Sequence, residues 1–207
     1  MILALALAAG LAATPQQVAV GATAGDAGTK ALRTNVVGNY ALVRVEGRAG
    51  RGVPIGGSVL LQRFSFGWQA LVYTGDTCYF SAHGISTKVE EMLTVGQPLL
   101  TYQSACSTRD RVDRGSPGDV DAVRRLVRGP FVPAVVVSGR YAIGTSSSLR
   151  SQFSWAPTSQ SLFERAGSFW RRIAERRGHL SMRELRTKGV PESSMCALRV
   201  YDAKCSG

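Results

Sequence analysis

A segment around Tyr40 nearly returns around Tyr141. Val36-Val37-Gly38-Asn39-Tyr40-Ala41-Leu42 is matched by Val137-Ser138-Gly139-Arg140-Tyr141-Ala142-Ile143. Downstream, Ser58-Val59-Leu60-Leu61-Gln62-Arg63 and Gly67-Trp68-Gln69-Ala70-Leu71 are matched by Gln160-Ser161-Leu162-Phe163-Glu164-Arg165 and Phe169-Trp170-Arg171-Arg172-Ile173. The Tyr spacing is 101 and the Trp spacing 102, so the copies stay in register with one residue of slip. Each copy then runs through a helical segment to a Gly-x-Pro, Gly96-Gln97-Pro98 and Gly189-Val190-Pro191. A duplication of this size calls for two similar modules of about 90–100 residues, each with a small core of its own.

Boundaries follow from the repeat. Residues 1–13 form an apolar leader, 14–104 the first module, 105–116 a polar linker and 117–207 the second module. An apolar content of 44% against 19% charged is that of a folded chain rather than a disordered one. Met1 to Ala13 is Met, Ile, Leu, Ala and one Gly, the composition of a secretory signal core and shorter than the ~20 residues of a membrane span. Gly10-Leu11-Ala12 and Ala22-Thr23-Ala24 both offer small-x-small cleavage sites, although no Lys or Arg precedes Lys30. The expectation is export to the periplasm or the extracellular space, with no membrane span in the mature chain.

Four cysteines, Cys78, Cys106, Cys196 and Cys205, fit that compartment. The modular reading pairs Cys78 with Cys106 and Cys196 with Cys205, each bridge worth ~2–4 kcal/mol by loop entropy. No Cys-x-x-Cys is present and neither His83 nor His179 has zinc-finger spacing, so no metal is expected.

Local signals give the elements. Thr14-Pro15-Gln16-Gln17 and Ser116-Pro117-Gly118-Asp119 both read as helix starts, 102 apart, though Gly21 weakens the first. A strand is expected over 39–46, a Gly-rich turn from Gly47 to Gly57, and then a hairpin, Ser58–Phe64 with Trp68–Tyr73, turning at Ser65-Phe66-Gly67. The second copy has Gln160–Arg165 and Phe169–Ala174 about Ala166-Gly167-Ser168, and Thr77–Ser81 reads as an extra strand of the first. Leu180-Ser181-Met182-Arg183-Glu184-Leu185 is a capping box with a hydrophobic staple, and Ile85-Ser86 is its weaker counterpart. The fold class is α+β: two tandem modules, each a helix, an antiparallel sheet carrying a Trp hairpin, and a short capped helix, with helices on one face of the sheet.

The second module's order of Tyr141-Ala142-Ile143, Leu162-Phe163, Trp170-Arg171-Arg172-Ile173 and Gly189-Val190-Pro191 resembles the hairpin-plus-Trp units of small secreted bacterial proteins of no fixed activity. It is also similar to the sheet of cystatin-like and nuclear-transport-factor-2-like domains. The resemblance covers the hairpins and their following helices. It implies a sheet and brings no catalytic residue with it.

Chemistry is sparse. Tyr40, Tyr141, Trp68 and Trp170 read as anchors of small cores. Ser181 and Glu184, like Ser86, are explained by capping. His83 and His179 sit just before those capping serines; a small hydrolase would need one of them with a serine and an acid such as Asp76 or Asp202. Cys78 beside His83 is better explained by a disulfide than by a thiol nucleophile. Gly25-Asp26-Ala27-Gly28-Thr29-Lys30 has the wrong order for a phosphate loop. No cofactor is implied.

Charge is the remaining feature. Through Ser104 there are 7 Lys+Arg against 5 Asp+Glu; from Ala105 on there are 18 against 9. Arg171, Arg172, Arg176, Arg177 and Arg183 form the one surface cluster worth naming as a binding group, the alternative being solvated charge near Glu164, Glu175 and Glu184. With no aromatic stacking motif running through the basic residues, nucleic acid is not the expected partner. The sequence reading is an exported, non-catalytic binding or structural protein, its basic half turned to an anionic envelope component or another exported protein. The alternatives are the His-centred hydrolase and an inhibitor-like protein inserting its turns at 65–67 and 166–168 into a partner's groove.

Overall fold

Thr14 opens the first helix as the sequence predicts. Its Oγ1 accepts from Gln17 N at 3.3 Å while its own N–H donates to Gln17 Oε1 at 2.8 Å, a reciprocal cap. A computed structural model describes residues 12–23, 28–49, 53–74, 80–98, 113–149 and 159–198. The first module contains α1 (Pro15–Thr23), β1 (Lys30–Val37), β2 (Tyr40–Ala49), β3 (Val53–Phe64), β4 (Gly67–Thr74) and α2 (Thr87–Thr94), with a short 3-10 turn at Ser81–His83 before α2. The second contains α3 (Pro117–Arg124), β5 (Phe131–Ser138), β6 (Tyr141–Ser147), β7 (Ser159–Ala166), β8 (Phe169–Arg176), α4 (Met182–Thr187) and α5 (Glu192–Leu198). Residues 1–11 of the apolar leader and three of the cysteines, Cys78, Cys106 and Cys205, lie outside the described residues. Cys196, on α5, is not a free thiol.

Each module is a four-stranded antiparallel meander, β1-β2-β3-β4 and β5-β6-β7-β8. The two meanders match in detail. β4 and β8 each carry one extra residue, Leu71 opposite Leu60/Leu61 and Ile173 opposite Leu162/Phe163, 102 positions apart. β1 and β5 are also irregular at matching places, around Leu32 and around Val132-Pro133. Pro133, with no N–H to give a ladder, belongs at such a bulge. Gly96 and Gly189, just past the ends of α2 and α4, take φ of 65° and 74°, which side chains other than glycine's rarely adopt.

Several expectations are corrected. Strands β1 and β5 and helix α5 were not anticipated. The Gly47–Gly57 stretch is not a turn: β2 runs to Ala49 and β3 starts at Val53. α1 continues through Gly21. Of the extra strand Thr77–Ser81, residues 77–79 lie outside the described residues, Phe80 is in a turn and Ser81 opens the 3-10 turn. Nor is the 105–116 segment only a linker, since Arg114 donates its N–H to Val135 O at 3.0 Å and accepts from Val137 N at 2.8 Å, covering the edge of β5.

Helices cover both faces of each sheet, not one. In the first module, Ala41, Val43, Val45, Val59, Leu61 and Ala70 pack with Ala19 of α1, while Leu42, Leu60, Leu71 and Val72 pack on the opposite face with Phe80, Ile85 and Leu93. In the second, Ala142, Phe163 and Trp170 face Val120 and Val123 of α3; Ile143, Leu162 and Tyr141 face Leu185 of α4 and Met195 of α5. Strands buried on both faces read as apolar runs, which is why alternation is faint over Ala41–Val45. Each repeat tyrosine ties its sheet to the segment beyond: Tyr40 OH donates to His83 O and Tyr141 OH to Gly189 O, both at 2.9 Å.

Strand β4 runs beside β5 without a ladder between them. Phe131 of β5, fully buried, enters the core built on α1. Arg124 of α3, also fully buried, reaches into the seam. Its Nη1 donates to Gln69 Oε1 at 3.0 Å and to Val132 O at 2.5 Å, Nη2 pairs with Asp113, and the guanidinium lies 4.7 Å from the Phe64 ring centroid.

Candidate functional site: the cleft between the modules and the arginines of the second

The β3–β4 turn of the first module does not stand free. Ser65 N donates to Asp121 Oδ2 at 3.3 Å, Arg125 Nη2 donates to Ser65 Oγ at 2.9 Å, and Arg125 lies 5.3 Å from the Phe66 ring centroid. Docking this turn on α3 leaves a cleft of 510 Å³, a size typical of small-molecule sites. One side is Asn39, Gln62, Arg63, Phe64 and Ser65; the other is Asp113, Gly115, Pro117, Val120 and Asp121. Burial pulls the Arg124 guanidinium below the ordinary arginine range, and the charges of Asp113 and Asp121 oppose that pull. Tyr40 is pushed up by burial and then by the Asp113 charge, which keeps its phenol a donor. Nothing in the sequence pointed to this cleft. Asp113 sits in the segment read as linker, and only the fold brings it to Arg63 and Asp121.

The arginine cluster is split by its acids. Arg171 donates to Glu164 at 2.6 Å, Arg172 to Glu175 at 2.5 Å, and Arg176 pairs with Glu184. Glu164 takes a second arginine, Arg140, and hydrogen bonding to Arg171 chiefly holds its carboxyl below the usual range. Glu184 is lowered to about 2, first by Ser181 and then by Arg176. Arg177 and Arg183 are exposed and have no carboxylate within ion-pair distance among the described residues.

The other named residues fall as follows. Ser181 and Glu184 form the expected capping box, with Ser181 N donating to Glu184 Oε2 at 2.7 Å and Glu184 N to Ser181 Oγ at 3.2 Å. Leu180 and Leu185 meet in the α4 core as the staple requires. Trp170 and Tyr141 are buried, whereas Trp68 and Tyr40 are half-buried at the rims of their cores. His83 precedes its capping serine in the first module and His179 precedes its own in the second, and neither lines the cleft. Among the described residues there is no group of three His, Cys, Asp or Glu side chains able to hold a metal ion, and no helix long and apolar enough to cross a membrane. No protein-family model, no curated protein and no solved structure matches this chain.

Proposed function

We propose that this is an exported, non-catalytic binding protein whose second module contacts an anionic surface of the cell envelope. The observation that carries the reading is an imbalance of unpaired charge. From Asp113 at the end of the linker through Leu198 of the second module, the carboxylates of Asp113, Asp119, Glu164, Glu175, Glu184 and Glu192 are all engaged in ion pairs. Arg114, Arg128, Arg177, Arg183 and Lys188 are exposed with no carboxylate partner among the described residues, while Arg125 is taken up by Ser65 and Phe66, against the single acid without an ion pair, Asp121. Free cations of this kind attract an anionic surface by about 1 kcal/mol each. Two disulfides, Cys78 with Cys106 and Cys196 with Cys205, would suit the same compartment.

Co-sedimentation with phosphatidylglycerol and with phosphatidylcholine vesicles tests the proposal. Binding to the anionic vesicles alone is expected, falling as salt rises. Arg177→Ala and Arg183→Ala should each weaken it roughly fivefold, the factor for about 1 kcal/mol. Equal binding to both vesicles, or binding indifferent to salt, would remove the basis of the reading.

A partner-inserting role is favoured by one observation, at the second hairpin turn only. Phe169 is 62% exposed beside Gly167-Ser168, whereas the matching turn of the first module is docked on α3. Phe169→Ser should abolish capture of a proteinaceous partner from envelope extract if that turn inserts, and leave it unchanged if it does not.

A further inference from the structure

Arg63 and Arg165 occupy one position of the repeat, each opposite its module's tryptophan across the hairpin, Arg63 with Trp68 and Arg165 with Trp170. In the second module the arginine is satisfied. It pairs with Asp119 in the first turn of α3 and lies 4.9 Å from the Trp170 ring centroid. The matching position on α1 is Gln17, whose side chain closes the helix cap instead. The first module therefore has the arginine and the tryptophan without the acid. Arg63 is exposed, lines the cleft, and has no carboxylate partner among the described residues.

The other walls limit what Arg63 can meet there. Asp121 carries one hydrogen bond, from Ser65 N, and so retains acceptor capacity toward the cleft. Asp113 is already engaged by Arg124 and by Val135 N at 2.8 Å. Arg124, fully buried and not part of the lining, offsets Asp113, so the cleft itself offers one guanidinium, Arg63, and one carboxylate without an ion pair, Asp121. A free anion entering the cleft would meet the carboxylates, and a free cation the Arg63 guanidinium. A ligand carrying both charges meets neither penalty. Phe64, Pro117 and Val120 supply apolar lining for the remainder of such a molecule, and Asn39 and Gln62 further polar groups.

We propose that the cleft between the modules binds a small zwitterion, a free amino acid or a dipeptide, with its carboxylate on Arg63 and its ammonium on Asp121. A guanidinium grips a carboxylate through two parallel charge-assisted bonds.

Titration calorimetry of the full chain with the free proteinogenic L-amino acids and with alanyl-alanine tests this and separates the two sources. Saturable one-to-one binding of at least one probe is expected. Arg63→Gln should weaken it by at least about tenfold, the effect of removing a charged hydrogen bond. N-acetylation of the binding probe should weaken it as much as Asp121→Asn does, because both remove the same ion pair. Arg63 is exposed and unpaired, so Arg63→Gln should leave the melting temperature unchanged. If Asp121→Asn loosens the docked turn and lowers it, the arginine variant and the acetylated probe decide alone. Absence of binding by every probe, or binding that survives Arg63→Gln undiminished, overturns the proposal.

Discussion

A guanidinium with no solvent exposure destabilises a fold unless its donors are met. At Arg124 the two terminal nitrogens find Gln69, the Val132 carbonyl and Asp113, while Nε has no hydrogen-bond partner. The charge thus depends on Asp113, and the two ends of the pair should respond unequally. Asp113→Ala leaves a buried cation unmatched and is expected to cost about 3–5 kcal/mol, read by urea unfolding. Arg124→Met removes the charge and keeps much of the volume, while Asp113 retains the Val135 N–H, so the loss should be smaller. A larger loss from Arg124→Met would mean that packing on Phe64, not Asp113, is what the arginine contributes. Gly144 is a second sensitive residue. A Cβ there would lie 2.2 Å from Val127 Cγ2, just beyond α3, so Gly144→Ala should lower stability by about 1–3 kcal/mol through overpacking.

Helix α4 is the element whose stability is tied most directly to pH. Glu184 caps it, and with a pKa of about 2 against an ordinary 4.5 the carboxylate favours the folded state while it is charged. That contribution is fully present above 4.5 and is lost as pH falls from there toward 2. Melting temperatures of the wild type and Glu184→Gln should therefore differ by a constant amount at neutral pH and converge through that window. Parallel curves would show that the cap contributes the same in either protonation state. This element was legible because capping is written in adjacent residues, Leu180 to Leu185. The two Trp hairpins were legible for the same reason. β1 was not, although Gly38-Asn39 is a two-residue turn signal, because Leu32 sits at a bulge that breaks its alternation. The Gly47–Gly57 stretch misled because strand pairing overrides the weak strand propensity of glycine. That Glu164, Glu175 and Glu184 stand near the arginine cluster is legible in the sequence; which arginine meets which acid is set by the fold.

Across the whole molecule, the repeat explains the modules but not their union. The seam is built from residues the repeat does not share: Phe131 stands where the first copy has Lys30, Arg124 where it has Ala22, and Phe64 and Gln69 where the second has Ala166 and Arg171. The outer strands carry charge in those places. Lys30 on β1 lies 4.0 Å from Glu46, and Arg171 on β8 is exposed and paired with Glu164. Charged edge strands resist further pairing, so the contact made once inside the chain is not offered again at its ends. The cleft, formed where the two copies meet, had no trace in either copy alone. Because Phe131 belongs to the second sheet yet completes the core on α1, the two modules should unfold together. A single calorimetric transition is expected for the intact protein. Phe131→Ala should remove about 3–5 kcal/mol and, with the shared anchor gone, split that transition or speed amide exchange in α1 ahead of α4. A variant that loses stability while still melting in one step, with exchange raised equally in both modules, would place the coupling in the Arg124–Asp113 pair and the docked turn instead.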